Sequence, residues 1–277
     1  MLALRSLVHE ALLEDIGQGD ITTNLTVPED ARCRAHLLAK QDGVLSGMGV
    51  FRAVFEGVDA DMTNWKTLSD GTKFSKGTEI ASFEATTRAV LTGERVALNF
   101  VQRLCGIATL TSKYVDTLAG LSTRICDTRK TTPFLRHLEK KAVQHGGGFN
   151  HRFALFDGVL IKENHIIAAG GVRNAVEKAA NGTHHLMKVG VEVTTLDELR
   201  DAIAAGAGAI LLDNMDLEQI RASVEIAKGT HVVLEASGNM SLERVRAIAE
   251  TGVHIISIGA LTHSAPAIDL SLEIENV

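Results

Sequence analysis

A chain of 277 residues can form one large or two moderate domains, and its net charge of −6 gives it no overall attraction for nucleic acid. Although 45% of the residues are hydrophobic, no apolar run approaches the ~20 residues of a membrane helix, and Met1–Glu10 lacks the apolar centre of a signal peptide. A cytoplasmic globular protein that does not engage a membrane is therefore expected. Cys33, Cys105 and Cys126 are too widely spaced for a CxxC metal site and odd in number, so they read as small buried hydrophobes.

The spacing of Leu4, Leu7, Val8, Ala11 and Leu12 predicts a helix over Leu2–Glu14, ended by the turn residues Asp15 to Asp20. From Ala31 to Glu84 the pattern changes to short β-like runs at 35–39, 43–47 and 78–84, with turns at Asp70-Gly71 and Lys76-Gly77. This region could resemble a lipoyl-type carrier, but no exposed lysine sits at a clear hairpin tip. An apolar stripe through Val90, Leu91, Ala97, Leu98 and Val101 predicts a helix over 87–104, and a second is expected over 107–118.

Beyond residue 120 the chain alternates apolar strands with amphipathic helices. Strands are expected near 123–126, 156–162, 187–193, 209–213, 232–236 and 254–258. Repeated βα units with short links imply a parallel sheet, and six near-equal units favour closure into a TIM-like barrel, open or incomplete. The fold class is thus α/β: an N-terminal α/β sandwich domain over 1–105, completed by the tail 265–277, plus a C-terminal barrel over 106–264 that carries the active site.

In such barrels chemistry gathers at the carboxyl ends of the strands, and every predicted strand here ends in polar groups. The first delivers Arg129 and Lys130 within Asp127-Thr128-Arg129-Lys130-Thr131-Thr132-Pro133, where a planar guanidinium fork stands beside a mobile point charge. The others deliver Lys162, Asn164 and His165; Glu192; Asp213 and Asn214; Glu235, Ser237 and Gly238; and Ser257 and Gly259. A solvated turn would explain one such end. Polar groups after all six point to a shared pocket.

Ser237-Gly238-Asn239 and Ser257-Ile258-Gly259-Ala260 are small enough to leave backbone N–H groups approachable, and a helix from Leu242 follows the first, so the pair suits a phosphate. Ser241 could equally be an ordinary helix cap. Glu192 and Asp213 could bind ribose hydroxyls or Mg²⁺, or pair with neighbouring cations. A further cluster runs from His145 through three glycines to His151 and Arg152. A zinc site on His145, His151 and His165 lacks ordered spacing.

These residues resemble one family over nearly the whole chain. The matching stretches are Glu14-Asp15, Gly19 to Thr23, Leu91 to Arg95, Asn99-Phe100, Asp127 to Pro133, Asn150 to Arg152, Leu160 to His165, Leu212 to Met215, Glu235 to Gly238 and Gly259 to His263. The family is quinolinate phosphoribosyltransferase, also called nicotinate-nucleotide pyrophosphorylase (carboxylating). The resemblance implies that quinolinate and phosphoribosyl pyrophosphate, with Mg²⁺, give nicotinate mononucleotide, pyrophosphate and CO2.

It also implies roles. Arg103, Thr128, Arg129, Lys130, His151, Arg152 and Lys162 would face quinolinate and pyrophosphate. Glu192 and Asp213 would face ribose and Mg²⁺, and Ser237, Gly238, Asn239, Gly259, Ala260 and Leu261 would lie near the phosphate. Lys130, Lys162, Glu192 and Asp213 form the expected catalytic set. A homodimer is implied, with Arg103 reaching a partner's site. The sequence departs from the family pattern twice. Gly190 stands where Val-Glu-Val-Glu-Val is common, leaving Glu192 alone, and Phe134 replaces a usual glycine, which would narrow the pocket mouth. Two alternatives differ in kind: a molybdenum-transport-associated homologue with another substrate, and a non-catalytic sensor of a phosphorylated metabolite.

Overall fold

The computed structural model describes residues 2–58 and 61–277, which divide into two compact units. One holds residues up to Ser112 together with Thr132–Gly147 and Ser264–Val277; the other holds Lys113–Thr131 and Gly148–His263. The segment 132–147, which the sequence placed with the barrel, therefore clusters with the first unit.

In the first unit, α1 (Leu2–Ile16) ends where Gly17 turns to a φ of 52°. The motif residue Asp20 then caps α2 (Ile21–Thr26): its Oδ1 accepts the Thr23 backbone N–H at 2.9 Å. Strand β1 (Arg32–Ala39) buries Cys33, Ala35, Leu37 and Ala39 on one face, and β2 (Gly43–Val44) follows. The next stretch corrects the expectation of β structure throughout 31–84, because Met48–Val58 forms helix α3. Its signal was present as Val50, Phe51, Val54 and Phe55, which recur at helical spacing and are all buried.

Strands β3 (Thr63–Thr67), β4 (Lys73–Phe74) and β5 (Glu79–Thr86) follow, β4 pairing with β2. Phe51, Phe55 and Phe83 are fully buried, with the Phe55 and Phe83 rings 4.9 Å apart, and each contributes roughly 1.5–3 kcal/mol of burial.

The two helices expected on either side of residue 105 are a single helix, α4 (Thr87–Thr117). Gly106 is not a break but a point of close approach, since a Cβ there would lie 2.1 Å from the carbonyl oxygen of Pro266. Helix α5 (Arg136–His145) also belongs to this unit. Just before it, Phe134 is 92% exposed and holds a φ of 63° that glycine would adopt without strain.

The second unit is a six-stranded parallel sheet: β6 (Arg124–Cys126), β7 (Val159–Ile161), β8 (Val189–Val193), β9 (Ala209–Asp213), β10 (Val233–Ser237) and β11 (Ile255–Ser257). Their spatial order is β6-β11-β10-β9-β8-β7. This is the cyclic order of a barrel cut between β6 and β7, as the open barrel expected from sequence requires.

The connections carry α6 (Glu163–Ala169), α7 (Val172–Gly182), α8 (Leu196–Ala204), α9 (Leu217–Ala227) and α10 (Leu242–Ala249), and α11 (Ala260–His263) follows the last strand. Thr195 and Glu198 cap α8 reciprocally, which fixes where β8 gives way to helix. The free edge of β6 is covered locally by residue 149: Phe149 N–H donates to Ile125 O at 2.8 Å, and Asp127 N–H donates to Phe149 O at 3.0 Å.

The chain then returns to the first unit, where β12 (Leu270–Asn276) pairs antiparallel with β1 to complete the sheet order β12-β1-β5-β3. The three cysteines are buried thiols outside any disulfide. Among the described residues no helix is long and apolar enough to cross a membrane.

Candidate active site

A cavity of about 1020 Å³ opens at the carboxyl ends of the parallel strands and takes residues from the ends of all six of them. A flat sheet of this width could not direct all its ends at one cavity, so the strands curl around it. The lining contains Thr128, Arg129, Lys130, His151, Arg152, Lys162, Glu192, Asp213, Ser237, Gly238, Asn239, Gly259 and Ala260, which gathers all but two of the expected site residues.

The two exceptions have physical reasons. Leu261 is fully buried, so its side chain belongs to the packing of α11 and not to the cavity wall. Arg103 lies in the first unit, where its Nε and Nη2 donate to Oε1 of the fully buried Glu139 at 2.8 and 2.6 Å. Its Nη2 also donates to Thr132 Oγ1 at 2.7 Å. Phe134 is likewise absent from the lining. Among the described residues no three His, Cys, Asp or Glu side chains gather to hold a metal, and His145 instead bonds Ser46 Oγ at 2.8 Å.

The cations form one wall. Lys130 follows β6, and its stem passes Gly259, where a Cβ would lie 3.0 Å from Lys130 Cδ. Its carbonyl accepts the Thr262 hydroxyl at 2.7 Å, so α11 shapes the path of the loop after β6. Arg152 donates through Nη1 to Gly158 O at 2.8 Å, while its buried Nε has no hydrogen-bond partner. Burial depresses the Arg152 pKa and the neighbouring charge of Arg129 lowers it further; a bound anion would offset both. His151 Nδ1 accepts the Arg152 backbone N–H at 2.8 Å, which leaves Nε2 to carry the proton of a neutral ring.

Carboxylates occupy neighbouring strand ends. Lys162 Nζ is paired with Glu192 Oε2, and Asp213 Oδ2 accepts from the Asn214 side chain at 2.9 Å. Beneath them Glu235 is 4% exposed, and its Oε1 lacks a hydrogen-bond partner. Burial pushes its pKa up to about 7, a rise opposed by the Ser257 hydroxyl and Lys162 and assisted by Glu192.

Small residues make the remaining side. Gly238 has a φ of 93°, and a Cβ would lie 2.1 Å from Asn214 Oδ1, so no other residue fits without displacing Asn214. Ser241 occupies the cap position of α10 but makes no capping bond with its side chain, and it lines the cavity.

Glu235 was named from sequence without a role and Leu160 only within a matching stretch; Leu155 and Leu211 were not named at all, and all four line the cavity. Leu160, Leu211 and Glu235 stand two residues before Lys162, Asp213 and Ser237, so the strand period held the signal for an inner layer. Gly190 stands two before Glu192 and faces the same layer, where a Cβ would meet Leu160 Cδ1 at 3.4 Å. The departure at 190 therefore alters the floor and leaves the rim carboxylate in place.

Comparison with known proteins agrees with this geometry. Residues 107–273 match the model of the quinolinate phosphoribosyl transferase C-terminal domain, and residues 20–105 that of its N-terminal domain. A probable nicotinate-nucleotide pyrophosphorylase [carboxylating] of Bacillus subtilis is 42% identical over 99% of this chain and 94% of its own length. The chloroplastic nicotinate-nucleotide pyrophosphorylase [carboxylating] of Arabidopsis thaliana is 40% identical over 98% of this chain and 83% of its own. The solved nicotinate-nucleotide pyrophosphorylase of Francisella tularensis superposes with a TM-score of 0.94 at 44% identity, covering 99% of this chain and 96% of that one.

Proposed function

The chain belongs to the quinolinate phosphoribosyl transferase family, and from that premise we propose that it joins the phosphoribosyl group of phosphoribosyl pyrophosphate to the ring nitrogen of quinolinate. One carboxylate leaves as CO2, giving nicotinate mononucleotide and pyrophosphate in the de novo synthesis of NAD, in the cytoplasm. The observation that carries this reading is a single cavity with a cationic wall, neighbouring carboxylates and a cradle of small residues, roomy enough at about 1020 Å³ for two substrates.

Both substrates are polyanions that repel one another. Arg129, Lys130, Arg152 and Lys162 offset that repulsion and, with His151 as a hydrogen-bond donor, hold the ring nitrogen near the ribose carbon. As pyrophosphate departs it gains charge, and the fixed cations stabilise it. The ribose carbon becomes electron-poor and is met by the ring nitrogen's lone pair. When the adjacent C–CO2 bond then breaks, its electron pair stays on the ring carbon, stabilised by the positive charge of the alkylated nitrogen, and a proton from water takes the place of CO2, so no strong base is required. Ser237, Gly238, Asn239, Gly259 and Ala260 leave backbone N–H groups for the 5-phosphate.

Mg²⁺ is held by few protein carboxylates and completes its shell with water and substrate phosphate. Glu192 and Asp213, on the adjacent strands β8 and β9, suit such an ion. Bound there, Mg²⁺ would offset charge on the pyrophosphate.

A homodimer in which Arg103 serves the partner's cavity completes the reading. Incubation with quinolinate, phosphoribosyl pyrophosphate and Mg²⁺, following CO2 and the mononucleotide, tests it. Absence of both products would favour a molybdenum-transport-associated homologue or a metabolite sensor.

A further inference from the structure

Asp127 ends β6 fully buried, yet it does not line the cavity. Its Oδ1 accepts the backbone N–H of His151 at 2.7 Å, while its own N–H donates to Phe149 O at 3.0 Å. One residue thus clamps the incoming segment twice. The clamp continues into the cavity, because His151 Nδ1 accepts the Arg152 N–H and Arg152 Nη1 is tied to Gly158 O, both at 2.8 Å.

The segment needs such a clamp. It follows Gly146, Gly147 and Gly148 and has no regular structure beyond one bridge to Cys126, so its backbone would otherwise sample many directions. A carboxylate acceptor holds an N–H more strongly than a neutral one does. A buried carboxylate is also a poor choice for stability alone, since an apolar residue would fill the space without the cost of desolvation. Its place at this point is accounted for by what it orients.

We infer that Asp127 is a positioning residue for the ring-dicarboxylate half of the site, fixing His151 and Arg152 from the end of β6. This rests on the reading of those two residues as substrate-binding groups. Phosphoribosyl pyrophosphate has a second anchor in the small residues after β10 and β11, and the bond from His151 N–H to Asp127 is no part of that anchor. Quinolinate depends on the cationic wall. Loss of the clamp should therefore weaken quinolinate selectively.

The test has two arms. In the unmodified protein the His151 amide should exchange with solvent at least about 100-fold more slowly than an exposed loop amide. For Asp127→Ala the KM for quinolinate should rise about 10-fold or more, as expected for loss of a hydrogen bond to a charged acceptor, with the KM for phosphoribosyl pyrophosphate within about twofold. Asp127→Asn, which keeps an acceptor oxygen, should recover part of the loss. Free exchange of the His151 amide would overturn the inference, as would KM values that rise together or follow the loss in Tm. If the unmodified protein turns over neither substrate, the functional reading falls, and the amide measurement still decides the clamp. Should Asp127→Ala not fold, the Asn variant and the amide carry the decision.

Discussion

His151 Nε2 stands 3.8 Å from Oε2 of Glu235, a side chain only 6% exposed. The relationship places the imidazole of the wall over an acid in the floor of the cavity, and the burial of that acid has a measurable consequence for stability. Burial raises the Glu235 pKa from 4.5 to about 7. Between those values the folded state binds more protons than the unfolded chain, so stability falls as pH rises, by on the order of 3 kcal/mol in all. Glu235→Gln removes the titration. Without ligands, the Tm of the variant should exceed that of the parent clearly at pH 8 and by much less at pH 5. An equal difference at both pH values would refute the assignment.

Removing Lys130 or Arg129 tests the cationic wall. Both belong to a strand-end loop and line the cavity, so Lys130→Ala and Arg129→Ala should leave the fold intact. Each should cost roughly 2–5 kcal/mol of transition-state binding, read from kcat/KM. Near-normal turnover in both would remove them from the site.

The pattern of what was readable follows from physics. The six strands and their polar ends were legible because apolar runs bounded by turn residues repeat, and period-two alternation then locates the residues beneath them. Helix α3 was hidden because Gly49 and Gly57 resemble turn punctuation, while the apolar spacing between them is helical. Gly106 misled in the opposite sense, marking a crowded helix and not a break. Asp20 matched a family motif, yet with Thr23 and Thr92 it forms a hydrogen-bonded helix cap. The link from Asp127 to His151 joins residues 24 apart through the backbone, and side-chain patterning carries no signal for such a bond.

The carboxylates should separate the two substrates. Glu192→Gln frees Lys162 from its ion pair, and Asp213→Asn removes a charge at the neighbouring strand end. Each variant should weaken phosphoribosyl pyrophosphate binding and alter the Mg²⁺ dependence more than it weakens quinolinate binding. Titration of each ligand alone checks this. A larger loss for quinolinate, with the Mg²⁺ dependence unchanged, would reverse the assignment.

Gly238→Ala should damage stability and site together. A Cβ at 2.1 Å from Asn214 Oδ1 must push that side chain off Asp213, and the φ of 93° disfavours any L-residue. A cost of at least about 1–2 kcal/mol is expected from the backbone alone. A Tm and a KM for phosphoribosyl pyrophosphate both equal to those of the parent would contradict the crowding.

Arg103 allows the proposed dimer to be tested by mixing defects. Arg103→Ala alone would strand the buried Glu139 carboxylate, a loss of about 3–5 kcal/mol that could be mistaken for a functional effect. Pairing Arg103→Met with Glu139→Gln removes both charges and separates stability from activity. In a hybrid with Lys130→Ala, the barrel of the first chain keeps Lys130 and takes Arg103 from the second, so one of two sites is whole. Random exchange makes about half the dimers hybrid, hence roughly a quarter of all sites active, by the arithmetic of two-fold symmetry. Were Arg103 to serve its own barrel, every site would carry a defect. Mixtures that stay inactive after verified subunit exchange would therefore exclude the shared site.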